Sequence, residues 1–281
     1  MPPRTRPDGI HGLALAPGTA ASDMHATEGT EPAGGGRTVV VVPCFNETAR
    51  LDSEAFVSAR VRHPELEFLF VDDGSSDGTG QVLERLAARD PAGVRVLSLG
   101  TNRGKAEAVR RGMQEAFASN PAIVGFLDAD LATPIDELAR MSGRLADPEV
   151  LVVLGSRVAL LGRDIRRSAR RHYAGRVFAT VASLVLGLRV YDTQCGAKLF
   201  RTTPAVRDVF DRPFLSSWAF DVEVLARLVR LERRGAFPPV SRVVVEVPLR
   251  RWADVRGSKI GILDSLTAAA QLLVIWWRYR R

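Results

Sequence analysis

The chain has 281 residues, 46% of them hydrophobic, which is enough to bury the core of one α/β domain. It carries 39 basic and 32 acidic residues, a net charge of +7, and a basic surface of this kind favours phosphate-rich partners such as anionic lipid or nucleic acid. The two cysteines, Cys44 and Cys195, lie far apart without a CxxC spacing, which argues against structural zinc and a disulfide framework.

The two ends of the chain differ in composition from the middle. Residues 1–36 lack hydrophobic periodicity and are rich in Gly, Pro and Ala, as in a disordered leader, and they hold no signal-peptide core. No segment has the roughly 20 apolar residues that a membrane-spanning helix needs. We therefore expect one domain over 37–259, then an amphipathic helix over 260–281, with any membrane contact peripheral.

From Thr38 onward, short β-rich runs alternate with helix-like stretches. The runs end at Pro43, Asp72, Leu99, Asp128 and Gly155. This alternation predicts an α/β fold with a mostly parallel sheet and flanking helices. Farther on, the pattern predicts a long apolar helix over Arg176–Gly187 and a strand over Arg242–Leu249. Ligands of such folds bind beyond the carboxyl ends of the strands, which is where the polar clusters fall.

Polar residues follow the first two predicted strands. The first strand leads into Pro43-Cys-Phe-Asn-Glu47, and the second ends in Asp72 and Asp73. A turn followed by a helix cap explains the residues from Ser75 to Thr79. It does not explain two adjacent carboxylates, which repel each other. At this point the segment is equally compatible with a structural turn and with a functional site.

Two more carboxylates follow the fourth predicted strand, Ile123–Leu127. Alternation along a strand would place Asp128 and Asp130 on one side. Two carboxylates there suit a hard cation, Mg²⁺ or Mn²⁺, that also takes diphosphate oxygens. Helix entry explains Thr133 and Pro134 but not Asp128, so a metal site is the favoured interpretation.

Basic residues supply the remaining candidates. Arg157 follows the fifth strand, and an arginine-rich segment covers Arg163–Arg176. Most of these side chains are expected on a solvated helix face, although the planar guanidinium also binds phosphate well. Arg256-Gly-Ser-Lys259 is similar to a mobile phosphate-binding loop. Lys105, Lys198 and Lys259 are the only lysines, and each lies in or beside a polar segment, which suggests that a compact ammonium is needed there.

Together these segments resemble family 2 glycosyltransferases of the GT-A fold, in particular the dolichyl-phosphate β-glucosyltransferase-like group of polyprenyl-phosphate sugar synthases. The motifs that carry the resemblance are Val42–Glu47, Val71–Thr79, Asn102–Lys105, Leu127–Pro134, Gly155–Arg157, Asp192–Phe200, Trp218–Glu223 and Gly257–Lys259. They occur in order from about Thr38 to Lys259, so the resemblance is specific and covers most of the chain.

The resemblance implies roles for individual residues. The nucleoside-diphosphate sugar would be bound by Pro43, Phe45, Glu47, Asp72, Asp73, Lys105, Asp128, Arg256, Ser258 and Lys259. Asp128 and Asp130 would hold Mg²⁺ or Mn²⁺, and Arg157 and Arg170 would meet the acceptor phosphate. These four are the expected catalytic residues, and no nucleic-acid partner is implied.

One departure bears on the donor. Mannosyl-phosphate synthases of the family carry Gln two residues after the second metal-binding Asp, where this chain has Ala132. The resemblance thus favours inverting transfer of a hexose, glucose from UDP-glucose, to polyprenyl or dolichyl phosphate on an anionic membrane surface at its cytoplasmic face. A GDP-mannose-dependent mannosyltransferase is the alternative.

A lipid phosphate has a second pKa of about 6, so at neutral pH it is already a nucleophile and a general base is unnecessary. Cations are needed instead, because the lipid phosphate and the donor diphosphate are both anions and must come together. Asp192 and Asp221 are expected to orient the sugar or the arginines. The residues disfavour two other classes of protein. A sugar-nucleotide pyrophosphorylase needs a glycine-rich loop where Pro43–Glu47 stands, and a nucleotide-binding scaffold would not need the Asp128 and Asp130 pair or Lys259.

Overall fold

The computed structural model describes residues 36–166, 169–254 and 262–280, and the structural statements below concern these residues. Their strands are β1 (Thr38–Cys44), β2 (Leu66–Asp72), β3 (Val94–Ser98), β4 (Ile123–Leu127), β5 (Val152–Ser156), β6 (Asp164–Arg166), β7 (Ala197–Arg201), β8 (Val244–Pro248) and β9 (Arg251–Ala253). Their helices are α1 (Ser53–Arg62), α2 (Thr79–Arg89), α3 (Lys105–Ala118), α4 (Ile135–Ser142), α5 (Ala169–Leu186), α6 (Pro204–Asp211), α7 (Phe220–Arg233), α8 (Val240–Val243) and α9 (Ile262–Tyr279), and a 3₁₀ turn covers Gly143–Ala146.

Seven strands form one sheet in the order β3-β2-β1-β4-β7-β5-β8. Strand β7 runs antiparallel to both β4 and β5, and the other pairings are parallel. The run Val39–Val42 in β1 is completely buried, as expected for a strand covered by helices on both faces. The predicted α/β fold with a mostly parallel sheet is confirmed.

The long helix, the arginine-rich segment and the last predicted strand differ from the expectations. The predicted helix at Arg176 begins already at Ala169, so α5 includes part of the arginine-rich segment. Another part of that segment is strand β6, which pairs with β9 in a separate two-stranded sheet. The predicted strand from Arg242 is β8 from Val244 onward, because the preceding residues form the short helix α8.

Helix α9 packs against α5 and α7. Its Leu272 and Ile275 are buried in the main core, whereas Leu273 and Trp277 on another face are 65% and 67% exposed. Apolar side chains therefore lie on both the buried and the exposed face of α9, which packs as part of the folded domain. In the part of the chain that the structure describes, no helix is long and apolar enough to cross a membrane.

Candidate active site

A cleft of about 300 Å³ opens beyond the carboxyl ends of β1, β2, β3 and β4. It is lined by Pro43, Cys44, Phe45, Glu47, Asp73, Asn102, Gly104, Lys105, Ala108, Asp128, Ala129 and Asp130. Four separate polar segments thus meet at one edge of the sheet, where parallel α/β sheets bind their ligands.

Asp128 and Asp130 both line the cleft, but for a different reason from the one predicted. The strand-alternation argument is wrong, because β4 ends at Leu127 and the two aspartates lie in the turn that follows. Leu131 closes this turn at a φ of 50°, a left-handed conformation that is unfavourable for its branched side chain. The backbone N–H of Ala132 donates to Asp130 Oδ1 at 3.0 Å.

The charges around these aspartates suit a cation. Burial and the neighbouring Asp128 raise the pKa of the Asp130 carboxyl above its ordinary value. The Lys105 ammonium lies 2.6 Å from Asp128 Oδ1, so one positive charge already occupies the acidic end of the cleft. Partial burial opposes the charged form of Lys105, but Asp128 and Asp221 outweigh this effect and raise the pKa of that lysine.

The two carboxylates fit Mg²⁺ or Mn²⁺. No group of three or more carboxylate, cysteine or histidine ligands occurs among the residues that the structure describes. Mg²⁺ is usually held by only one or two carboxylates, together with water and substrate phosphates. Asp128 and Asp130 supply that number of hard oxygen ligands beside an open cleft.

The Cys195–Gly196 turn packs directly against Asp128. The backbone N–H of Asp128 donates to Gly196 O at 3.1 Å, and a Cβ atom on Gly196 would collide with the Asp128 carboxylate. The turn before β7 therefore approaches Asp128 so closely that only a residue without a side chain fits at position 196.

The buried ion pair of Lys198 and Asp221 fixes the Cys195–Gly196 turn. The completely buried Lys198 Nζ donates to Cys195 O at 2.6 Å and to Asp221 Oδ1 at 2.5 Å. Burial raises the pKa of Asp221, an effect that Lys198 and Lys105 oppose. Two of the three lysines thus pair with aspartates at or beneath the cleft. Lys259 lies outside the described residues.

Asp73 fixes the loop that leads into α3. Its two carboxylate oxygens accept from the backbone N–H groups of Arg103 at 2.8 Å and Gly104 at 2.7 Å. Gly74, at a φ of 71°, packs against the backbone of Thr101, where a side chain would not fit. Asp72 behaves differently, because its Oδ1 accepts from Ser75 N at 3.0 Å and it does not line the cleft.

The β1–α1 loop forms the opposite rim. Phe45 presents an aromatic ring that is 42% exposed. The Glu47 carboxylate is held by Arg50 through contacts of 2.6 and 2.9 Å, and the Glu47 N–H donates to Thr79 Oγ1 at 2.8 Å. Burial nevertheless raises the pKa of Glu47 above its usual range, with Asp130 and Asp128 contributing in the same direction.

Arg157 lies outside the cleft lining and is bound by Asp192. Its Nε and Nη2 donate to the two Asp192 oxygens at 2.7 and 2.8 Å, which leaves Nη1 for another ligand. Burial alone would raise the pKa of Asp192, but the Arg157 guanidinium holds it at about 2. Glu246 accepts from the backbone N–H groups of Tyr191 and Asp192 and so fixes this segment.

The remaining predicted residues cannot be placed in the cleft. Arg170 lies in the first turn of α5, but its side chain is outside the described part of the structure, as are Arg256, Ser258 and Lys259. The cleft is also lined by residues whose role the sequence did not predict: Cys44, Asn102, Gly104, Ala108 and Ala129. Ala108 lies three residues after Lys105 on α3, and helical periodicity could have identified it.

Comparison with known proteins agrees with this arrangement. Residues 39–206 match glycosyl transferase family 2. A dolichyl-phosphate beta-glucosyltransferase of Drosophila melanogaster is 36% identical over 256 residues, which cover 85% of this chain and 74% of the relative. A polyprenol monophosphomannose synthase of Mycolicibacterium smegmatis is 28% identical over 220 residues, 76% of each chain. The chain therefore belongs to glycosyl transferase family 2 and is a glycosyltransferase, not a pyrophosphorylase or an inactive scaffold.

Solved structures show the same fold. Glucosyl-3-phosphoglycerate synthase from Mycobacterium tuberculosis, in complex with Mn²⁺ and UDP-glucose, superimposes with a TM-score of 0.61 at 22% identity and covers 88% of this chain and 81% of its own. A mannosyltransferase from Pyrobaculum calidifontis, in complex with GDP-mannose and Mn²⁺, gives 0.56 at 21% identity and covers 88% of this chain and 65% of its own. The fold is the GT-A fold of glycosyltransferases.

Proposed function

We propose that this glycosyltransferase moves a hexose from a nucleoside-diphosphate sugar, with UDP-glucose as the donor, to a polyprenyl or dolichyl phosphate. The observation that carries the proposal is the meeting of Asp128, Asp130 and Lys105 in one cleft beside an exposed aromatic ring, Phe45. The relatives named dolichyl-phosphate beta-glucosyltransferase, at 30–36% identity, support the glucosyl donor and the lipid-phosphate acceptor.

A divalent cation, Mg²⁺ or Mn²⁺, would be held by Asp128 and Asp130. When bound, it supplies positive charge that stabilises the leaving diphosphate. Lys105 adds a second cation at the same end of the cleft, and its 44% exposure lets the ammonium turn from Asp128 to a phosphate oxygen. The Asp128 carboxylate is kept in place by the Cys195–Gly196 turn.

Other residues bind the rest of the donor. Phe45 offers a ring face on which a nucleobase can stack, and Pro43 and Glu47 complete that rim. Asp73 fixes the loop before Lys105 through two backbone N–H groups. The resemblance adds Arg256, Ser258 and Lys259 as the residues that close over the diphosphate.

The acceptor phosphate needs positive charge more than it needs a base. As a dianion it can attack the sugar carbon directly, so no proton has to be removed. Asp192 holds the Arg157 guanidinium by its Nε and Nη2 atoms and leaves Nη1 to donate to the phosphate. Arg170, in the first turn of α5, is the second proposed contact. These donors would offset the repulsion between the acceptor and the donor diphosphate.

We also propose that the enzyme works as a peripheral protein on the cytoplasmic face of a membrane. Helices α5 and α9 pack together and expose apolar side chains: Tyr173, Val177, Val181 and Leu184 on α5, and Leu273, Val274, Trp276 and Trp277 on α9. The α5 residues recur every three or four positions, so they share one helix face. Such a surface suits the headgroup region of a bilayer, where the lipid acceptor resides.

The test is a donor panel. The purified protein is incubated with Mg²⁺, a polyprenyl phosphate and a series of UDP- and GDP-sugars, and the lipid products are identified by mass. We expect a hexosyl phospholipid from UDP-glucose and none after EDTA treatment. A product from GDP-mannose alone would support the mannosyltransferase alternative, for which the Mycolicibacterium relative argues. No lipid product with any donor would refute the proposed acceptor.

A further inference from the structure

Six arginines come together at the carboxyl ends of α7 and α9. This distal arginine cluster consists of Arg212, Arg230, Arg233, Arg234, Arg278 and Arg280. Within the described ranges, none of the six forms a salt bridge with a carboxylate. Helix α7 begins beside Asp221 beneath the cleft and has 14 residues, so the cluster lies roughly 20 Å from that end of the helix.

Among the described residues, no carboxylate forms an ion pair with the arginines of the cluster. Burial, with help from Arg234 and Arg278, lowers the pKa of Arg230. Arg230 Nε is also buried without a hydrogen-bond partner among the described residues. Arg233 Nη1 donates to Tyr279 O at 2.8 Å, which satisfies the end of α9 but adds another positive charge.

Helix ends explain only part of this arrangement. A basic side chain in the last turn of a helix interacts favourably with the helix dipole, which accounts for Arg230 and Arg233 in α7 and Arg278 in α9. Arg234 is the C-cap of α7 and Arg280 directly follows α9, so both also stand at helix ends, whereas Arg212 comes from the loop after α6 and is not explained in this way. Crowding six positive charges costs stability, and an external anion would offset that cost.

Exposed aromatic side chains border the cluster. The Arg280 guanidinium lies 4.4 Å from the centre of the Trp276 ring, and Trp276 and Trp277 are 40% and 67% exposed. Tryptophan and arginine are favoured side by side at a membrane interface, where the ring enters the headgroup layer and the guanidinium meets phosphate. A soluble polyanion would not require the aromatic border.

We propose that the distal arginine cluster and the adjoining Trp276 and Trp277 form a docking surface for bilayers that contain anionic phospholipid. The arginines bind headgroup phosphates, and the tryptophans enter the interface beside them. The inference rests on the proposed function and deepens it, because it names the surface through which the enzyme reaches its lipid acceptor. It also makes the attachment depend on lipid charge.

The test compares two triple variants with the same change in charge. Arg234→Gln/Arg278→Gln/Arg280→Gln removes exposed cluster residues, and the control Arg85→Gln/Arg111→Gln/Arg144→Gln removes exposed arginines on other elements. Binding is measured by flotation with phosphatidylcholine vesicles, with and without phosphatidylglycerol. Each arginine near an anionic surface contributes about fivefold in affinity, so the cluster variant should lose about a hundredfold on anionic vesicles. The control variant should bind like the wild type.

Further measurements separate this inference from the proposed function. Transfer to a short-chain polyprenyl phosphate in detergent should be equal for the wild type and the cluster variant, since these arginines are far from the cleft. Equal flotation of both triple variants, or wild-type binding that ignores phosphatidylglycerol, would overturn the docking surface. So would cluster-dependent binding to nucleic acid without vesicle binding. Absence of lipid-phosphate transfer by the wild type would instead refute the proposed function and leave the flotation result intact.

Discussion

The Lys105 ammonium and the Asp128 carboxylate, 2.6 Å apart, join the start of α3 to the end of β4 across the active-site cleft. The lysine therefore does two things before any substrate arrives. It offsets the repulsion between Asp128 and Asp130, and it keeps a compact positive charge where a diphosphate would lie.

Replacing Lys105 with Met should weaken donor binding. A hydrogen bond to a charged group contributes about 1.5–3 kcal/mol, so we expect the KM for the nucleotide sugar to rise by roughly tenfold to a hundredfold. The KM for the lipid phosphate should change much less. Steady-state kinetics with each substrate varied in turn provide the measurement. Arg103→Met, on the same loop but without its side chain in the cleft lining, is the control. An unchanged donor KM would remove Lys105 from the diphosphate site.

Asp130→Asn should abolish transfer while leaving the fold intact. The side chain lies at the edge of the cleft and makes one backbone hydrogen bond, which an amide oxygen can still accept. The substitution removes a charged ligand of a hard cation. Activity at increasing Mg²⁺ and thermal unfolding should both be measured, with Asp208→Asn, an exposed aspartate on α6, as the control. Near-normal turnover by Asp130→Asn would refute the metal assignment.

Gly196→Ala tests the contact between the Cys195–Gly196 turn and Asp128. The added methyl group must displace the Asp128 carboxylate, so we expect kcat to fall at least about tenfold, because small misplacements of reacting groups have effects of this size. Gly143→Ala is a matched control, since its added methyl group meets no atom within 4 Å and its φ of −57° suits any residue. Gly143→Ala should keep full activity. Equal kcat values for the two variants would mean that the position of Asp128 is uncritical.

The sequence allowed some of this site to be predicted, because the signals were local. The buried run Val39–Val42 and the polar segments after β1 to β4 identified the sheet and the edge that binds ligands. Strand β7 was missed because Lys198 interrupts its apolar pattern, and that lysine is buried only because Asp221 neutralises it. Asp72 and Asp73 could not be distinguished, since tertiary contacts with Arg103 and Gly104 decide which carboxylate lines the cleft.

Asp192 should make stability depend on acid pH. Its folded pKa of about 2 lies below the ordinary value of 3.8, so its contribution is fully present above about pH 4 and is lost as the pH falls towards 2. A difference of this size corresponds to about 2 kcal/mol. Unfolding free energies of the wild type and Asp192→Asn, measured by denaturant at several pH values, should converge by about that amount between pH 4 and 2. A gap that is independent of pH would contradict the Arg157–Asp192 ion pair.

The buried pair of Lys198 and Asp221 should serve both stability and catalysis. Lys198→Met leaves the Asp221 carboxylate buried without its hydrogen-bonded ammonium, and breaking a buried pair in this way costs about 3–5 kcal/mol. The double variant Lys198→Met/Asp221→Asn leaves neither charge, so its unfolding free energy should recover a large part of that loss. Denaturant unfolding of the single and double variants measures this recovery.

Turnover should not recover together with stability. Lys198 also donates to Cys195 O, and this hydrogen bond fixes the Cys195–Gly196 turn. Gly196 in that turn packs directly against the Asp128 carboxylate. A methionine cannot donate this hydrogen bond, so the double variant should turn over slowly even where it is fully folded. The loss should appear mainly as a lower kcat, with smaller changes in the KM of either substrate. Recovery of both stability and kcat would show that the pair only fills the core. A single variant as stable as the wild type would show that Asp221 does not depend on Lys198 for its charge balance.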